Sequence, residues 1–128
     1  MPALDPKQIE HLAAMMDERW ARELREIRSL FATQQGEERQ QVTLGESIDE
    51  ASDEALLVRL AAVDDPLIRQ NLQDVRDIAG ARQRIAAGTY GECIDCAADI
   101  PYERLLAYPT AKRCIDCQRK HEKKRAAR

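Results

Sequence analysis

The chain has 128 residues, of which 34% are charged and 4% aromatic, with a net charge of -3. That is the length of one ordinary domain, and with so few aromatics it excludes a thick globular core and favours long exposed helices joined along a narrow apolar seam. The sequence has no run of about eighteen apolar residues, and "MPALDPKQIEHL" lacks the basic and apolar regions of a signal peptide, so membrane insertion and export are excluded and the cytoplasm is expected.

Asp5-Pro6 predicts a helix start, because an Asp carboxylate accepts from an orphan N–H and Pro at the first helical position has no N–H to leave unsatisfied. Apolar residues then recur at Ile9, Ala13, Met16, Trp20, Leu24, Ile27 and Phe31, which lines one face of a helix about 30 residues long. The Met15-Met16 pair reads as part of that seam. The stretch "TQQGEERQQVTLGES" has two glycines and little periodicity, and predicts a connection between elements.

A second helix is expected to start at Ser47 with Glu50, or at Ser52 with Asp53 and Glu54 in its first turn. Leu56, Leu60, Val63, Leu67, Leu72, Val75, Ile78, Arg82 and Ile85 continue an imperfect helical stripe to about Ala87, where Gly88 stops it. Pro66 predicts a kink, with a short break near residues 64–66 as the alternative because Asp65 can recap the chain. Residues 1–90 therefore predict a long antiparallel helical hairpin, a coiled coil, with a short three-helix bundle as the alternative. Residues 36–55, at the expected tip, carry seven acidic side chains and one basic. So concentrated a charge repels itself unless something cationic receives it.

All four cysteines lie in two copies of "CIDC", Cys93-x2-Cys96 and Cys114-x2-Cys117. Each CxxC turn presents two thiolates to one ion, and residues 91–118 predict a small four-cysteine zinc-finger module. A thioredoxin-like redox pair would need a βαβ setting; an iron–sulfur cluster has the same ligand chemistry and stays open as an alternative, although this spacing is not one of the usual ferredoxin runs. Four thiolates fill the shell of one Zn2+, so the ion has a structural role and no catalytic one.

Residues 119–128 extend the last knuckle as a basic helix or tail, with Arg119, Lys120, Lys123, Lys124 and Arg125 as candidate partner contacts. Residues 91–128 carry nine Lys and Arg against six Asp and Glu, whereas residues 1–90 carry 11 against 17. His11 and His121 are expected at the surface, and no arrangement around either supports nucleophilic catalysis, so no enzyme is expected.

The stretch "RIAAGTYGECIDCAADIPYERLLAYPTAKRCIDCQRKHE" resembles the zinc finger of the DksA/TraR family of bacterial RNA polymerase regulators. The likeness rests on the G-x-Y-G-x-C entry, the R-L-x-A-x-P-x-A-x-x-C return and the C-x-x-C-x-x-x-x-E exit. Upstream, "QIEHLAAMMDERWARELREI" looks like the first coiled-coil helix of the longer members. The resemblance implies a mainly α protein, a monomer with one structural zinc, whose hairpin enters the secondary channel of RNA polymerase and takes part in the stringent response. The family's tip motif Asp-x-x-Asp-x-Ala matches Glu50, Asp53 and Ala55, with Glu in place of the first Asp. Members that respond to guanosine tetraphosphate carry basic residues where this chain has Asp77, Tyr108 and Gln118, so no requirement for that nucleotide is expected at that site. Relatives usually have Gly where this chain has Ala97; a left-handed backbone there would cost Ala about 1 kcal/mol.

Two other functions compete with direct action on polymerase. The spacing C-x2-C-x17-C-x2-C is also that of DNA-binding GATA-type fingers, but the interior of this finger carries only Arg104, Lys112 and Arg113 against Asp99 and Glu103, so sequence-specific DNA binding is not expected. A docking or zinc-reserve protein without effect on transcription is the third reading.

Overall fold

A computed structural model describes residues 4–42, 52–60 and 63–126, with residues 31–42 described by their backbone. Five helices follow one another: α1 (Pro6–Val42), α2 (Asp53–Leu60), α3 (Pro66–Ala87), α4 (Tyr102–Ala107) and α5 (Ile115–Ala126). Among the described residues there is no strand, only a bridge between Glu92 and Asp99. None of their helices is long and apolar enough to cross a membrane. The expected class is what the chain adopts: a mainly α protein with a four-cysteine cluster after α3 and a C-terminal helix.

The helix starts follow from local chemistry. The Asp5 carboxylate accepts from the Gln8 N–H at 2.8 Å while Gln8 Oε1 accepts from the Asp5 N–H at 3.0 Å, a reciprocal cap with Pro6 at the first helical position. Asp65-Pro66 repeats the device: Asp65 Oδ1 accepts from Leu67 at 2.9 Å and from Ile68 at 3.3 Å. At α2 the Ser52 hydroxyl accepts from the Ala55 N–H at 3.1 Å, so Ser52 is the cap. The alternative, Ser47 with Glu50, lies outside the described residues. The stop is at Gly88, as expected. Its φ is 78°, and the Thr89 and Gly88 N–H groups donate to the carbonyls of Arg84 and Ile85.

Two expectations need correction. The stretch read as a connection, residues 33–47, is helical as far as Val42. One Gly costs a helix about 1 kcal/mol, which the surrounding Gln, Glu and Arg residues, all good helix formers, offset. The second helix does not kink at Pro66 but breaks: α2 ends at Leu60, and residues 63–65 lie outside any helix. Proline cannot accept an interior place without losing a hydrogen bond and clashing with the carbonyl four residues back, whereas the Asp65 cap makes a fresh start favourable.

The chain divides into two compact units, Met1–Asp17 with Asp77–Arg128, and Glu18–Arg76. In the second, Leu24 and Ile27 of α1, Leu56 and Leu60 of α2, and Ile68, Leu72 and Val75 of α3 form one buried cluster, with Trp20 packed against it. Arg19 bridges to Asp74 at 3.1 Å in this unit. In the first unit Arg82 pairs with Asp17 at 2.6 Å.

Next to Arg19 and Asp74, the Glu23 carboxyl has one oxygen buried without a partner. Burial first, then the charge and hydrogen bonding of Asp74, raise its pKa above the ordinary 4.5, while Arg19 works in the opposite direction. A carboxyl whose pKa is higher in the folded chain binds its proton more tightly there. Its contribution is favourable in acid and is lost as pH rises through 4.5 and beyond. Glu23→Gln is accordingly expected to raise the melting temperature at neutral pH and to flatten the decline in stability between acidic and neutral pH, as read by thermal melts. A steeper decline would refute this account.

Candidate metal centre

The four cysteines lie in the unit that contains residues 77–128. The turn after α3 brings in Cys93, which is buried, and Cys96, which is exposed; Cys114 ends the return and Cys117 sits in the first turn of α5. The turn is held by its own backbone: the Cys93 N–H donates to Ala98 O at 2.8 Å, Ala97 N–H to Cys93 O at 2.9 Å, and Ile94 N–H to Lys112 O at 2.9 Å. That last bond ties the first knuckle to the segment leading into the second. Arg113 also closes the two together, donating from Nε to Asp95 at 2.8 Å while its carbonyl accepts from Arg104 at 3.2 Å.

All four sulfurs lie within 4.8 Å of one another. Cys96 and Cys114 are 3.8 Å apart, which is the sulfur–sulfur edge of a tetrahedron with metal–sulfur bonds of about 2.3 Å. The donor set and the spacing thus fit one Zn2+ with no open position. The thiols also need a cation. Burial works to raise the Cys93 thiol, but hydrogen bonds from the backbone at Cys114, Cys96 and Asp95 bring it down to about 6. Hydrogen bonding with Cys114, Cys96 and Cys93 pushes Cys117 up to about 12. A negative charge is favoured at Cys93 and resisted at Cys117, and a divalent ion favours the thiolate form of a cysteine that it binds. A structural zinc is the cofactor of this site.

Ala97 has φ 64°, a left-handed conformation that glycine adopts freely and that an alanine side chain disfavours. Replacing Ala97 with Gly is expected to stabilise the metal-loaded finger by about 1 kcal/mol. Amide exchange across residues 90–100 measures it, and unchanged or weaker protection would count against strain at this position.

The finger is fastened to the end of α3 by Arg84 and Tyr90. Arg84 donates to Thr110 O at 3.4 Å, and the Tyr90 hydroxyl donates to Pro109 O at 2.7 Å. Burial pushes Tyr90 up to about 12, against the pull of Arg84, so the hydroxyl remains a neutral donor. The five basic residues of the tail, Arg119, Lys120, Lys123, Lys124 and Arg125, are exposed along α5, where the last three oppose the negative end of the helix dipole. Lys120 and Lys124 border an open cleft with Cys96, Cys117 and His121. His11 is exposed, whereas His121 is partly covered.

The residues expected at the tip belong to the other unit, Glu18–Arg76. Glu50 lies outside the described residues. Asp53 begins α2, and Ala55 follows two residues later in the same turn. The Asp53 carboxylate accepts from Trp20 Nε1 at 3.1 Å and from Arg28 at 3.2 Å, both on α1. This pairing was missed in the sequence. A signal existed, since Trp20 and Arg28 are eight residues apart and so share a helix face.

Residues 88–123 match the family model described as the prokaryotic dksA/traR C4-type zinc finger. The chain is 36% identical over 59 residues to an uncharacterized protein of Aquifex aeolicus, a match covering 46% of this chain and 41% of that protein. It is 41% identical over 49 residues to an uncharacterized 8.2 kDa protein encoded in the gpA 5' region of Escherichia phage P2, covering 38% of this chain and 66% of the relative. These matches therefore span less than two thirds of either relative's length. Transcription factor DksA2 from Pseudomonas aeruginosa has a similar structure, with a TM-score of 0.57 and 26% identity, over 95% of this chain and 88% of that one.

Proposed function

We propose that the chain, whose residues 88–123 match the dksA/traR C4-type zinc finger and whose structure is similar to that of DksA2, is a DksA-like protein that regulates transcription by binding RNA polymerase directly. It acts as a cytoplasmic monomer, places the acidic start of its second limb, Glu50, Asp53 and Ala55, in the secondary channel, and modulates promoter complexes there. The observation that carries this reading is the four-sulfur cluster in a fold shared with a transcription factor over nearly the whole chain. The zinc has a structural part only: it holds the docking module, and the exposed basic side chains of α5, Arg119, Lys120, Lys123, Lys124 and Arg125, face an acidic rim on the partner.

Guanosine tetraphosphate is not required at the finger side. A polyphosphate needs Lys, Arg or helix N-terminal amides to compensate its charge. Asp77 brings the wrong sign, Gln118 is engaged by Glu122 at 3.2 Å, and Tyr108 lies under the Arg104 guanidinium at 5.9 Å.

The test is transcription in vitro from an unstable ribosomal promoter with purified polymerase. The intact protein is expected to change transcript yield without the nucleotide, and Asp53→Ala to remove at least about tenfold of that effect, the loss of one charge-assisted contact. Glu50→Ala should weaken it as well. No change in yield with the intact protein would sink the mechanism. Salt-sensitive binding to duplex DNA alone would instead favour the GATA-spaced finger, and polymerase binding without a change in yield a docking protein.

A further inference from the structure

The Arg19–Asp74 bridge sets a register between α1 and α3. If the second limb ran on as one antiparallel helix, Asp53 would lie about 30 Å beyond Asp74, near residue 40 in the last turn of α1. Instead its carboxylate is held by Trp20 Nε1 and by Arg28, at 3.1 and 3.2 Å. The break before Pro66 lets α2 fold back, with Leu56 and Leu60 fully buried in the cluster shared with Leu24, Ile27 and Leu72.

The geometry points to an autoinhibitory latch: Trp20 and Arg28 hold the Asp53 carboxylate and keep α2 docked, and Asp53 acts on a partner only after α2 has been released. Two features support this beyond the two hydrogen bonds. The Arg28 side chain is only 19% exposed, whereas that of Asp53 is 44% exposed, so the cation is set into the core surface and the carboxylate is the partner more open to solvent. The helix that carries Asp53 has eight residues, too few to stand without the contacts it makes. A cationic surface that binds Asp53 more strongly than Arg28 and Trp20 do would shift α2 from the docked to the released state. The regulation belongs to the same site as the proposed function and rests on that reading, but the latch itself has a readout independent of polymerase.

Trp20→Phe keeps the aromatic packing and removes the N–H donor, and Arg28→Met keeps the buried stem and removes the charge. In both variants, amide exchange over Asp53–Leu60 is expected to accelerate on the order of tenfold at unchanged zinc content, while that of residues 68–78 is retained. Trp20 is the sole tryptophan, so 5-fluorotryptophan labelling gives one fluorine resonance, expected to shift in Asp53→Asn. In transcription, the two latch variants should reach half-maximal effect at roughly three- to tenfold lower protein concentration than the intact chain, as removal of a conformational tax predicts. Unchanged exchange in α2, or a fluorine resonance indifferent to Asp53→Asn, overturns the latch. So does a higher half-maximal concentration for folded Trp20→Phe and Arg28→Met. If no form of the protein affects transcription, the proposed function fails, and the latch stands or falls on exchange and the fluorine shift.

Discussion

Removal of the metal is expected to unfold residues 88–118 while the helical unit of residues 18–76 keeps its structure. Few side chains bury the finger: Tyr90, Ile100, Leu105 and Ala111 are its main buried apolar residues besides Cys93. At about 25 cal/mol per Å2 of apolar area, four residues do not offset the ordering of some thirty. Binding of a structural zinc contributes about 10–16 kcal/mol and so decides whether this segment folds. The helical unit owes nothing to the ion, since its cluster of Leu24, Ile27, Leu56, Leu60, Ile68, Leu72 and Val75 lies wholly within residues 18–76.

The chain carries its own reporters for this separation. All three tyrosines, Tyr90, Tyr102 and Tyr108, lie in the finger, and the one tryptophan, Trp20, lies in the helical unit. Chelation should therefore abolish the near-ultraviolet tyrosine signal and amide protection of the finger, leave tryptophan emission near its original position, and release one zinc per chain. Cys93→Ser should reproduce the result without a chelator. Protection of the finger that survives complete zinc removal would refute a metal-dependent fold.

The parts of this structure that were legible in the sequence are those decided by a few adjacent residues. Asp5-Pro6 and Asp65-Pro66 cap helices because a carboxylate and a proline suit the first turn whatever the rest of the chain does. Gly88 ends α3 because the left-handed conformation is open to it, and two CxxC turns meet because one ion requires four ligands. What was not legible depends on partners far away in the chain. The apolar stripe from Leu56 to Ile85 reads as continuous through Pro66, but the break changes its phase: Leu67, expected in the seam, is 56% exposed, and Ile68 is buried in its place. Nor does local sequence indicate that Asp53 faces Trp20 and Arg28, because that contact exists only once α2 has folded back onto α1. Periodicity fixes which face of a helix is apolar; it does not fix where a limb ends and a new helix begins.

Truncation of Leu56 or Leu60 is expected to separate α2 from the rest of its unit. Both side chains are fully buried, and they are the only buried residues of α2. A buried leucine replaced by alanine costs about 2–5 kcal/mol, partly in lost transfer energy and partly in the cavity left behind. An eight-residue helix has no reserve with which to absorb that cost, because isolated helices shorter than about 12 residues are marginal in water even for favourable sequences. Leu56→Ala is thus expected to abolish amide protection over Asp53–Leu60 and to lower the melting temperature of the helical unit, while the zinc content and protection of the finger persist. The control is Val58→Ala on the same helix. Val58 is 76% exposed, so its truncation should change stability by no more than about 0.5 kcal/mol. Equal effects of the two substitutions would mean that α2 does not pack as described, and the contact between Asp53, Trp20 and Arg28 would lose its support, since those three side chains meet only on a docked α2.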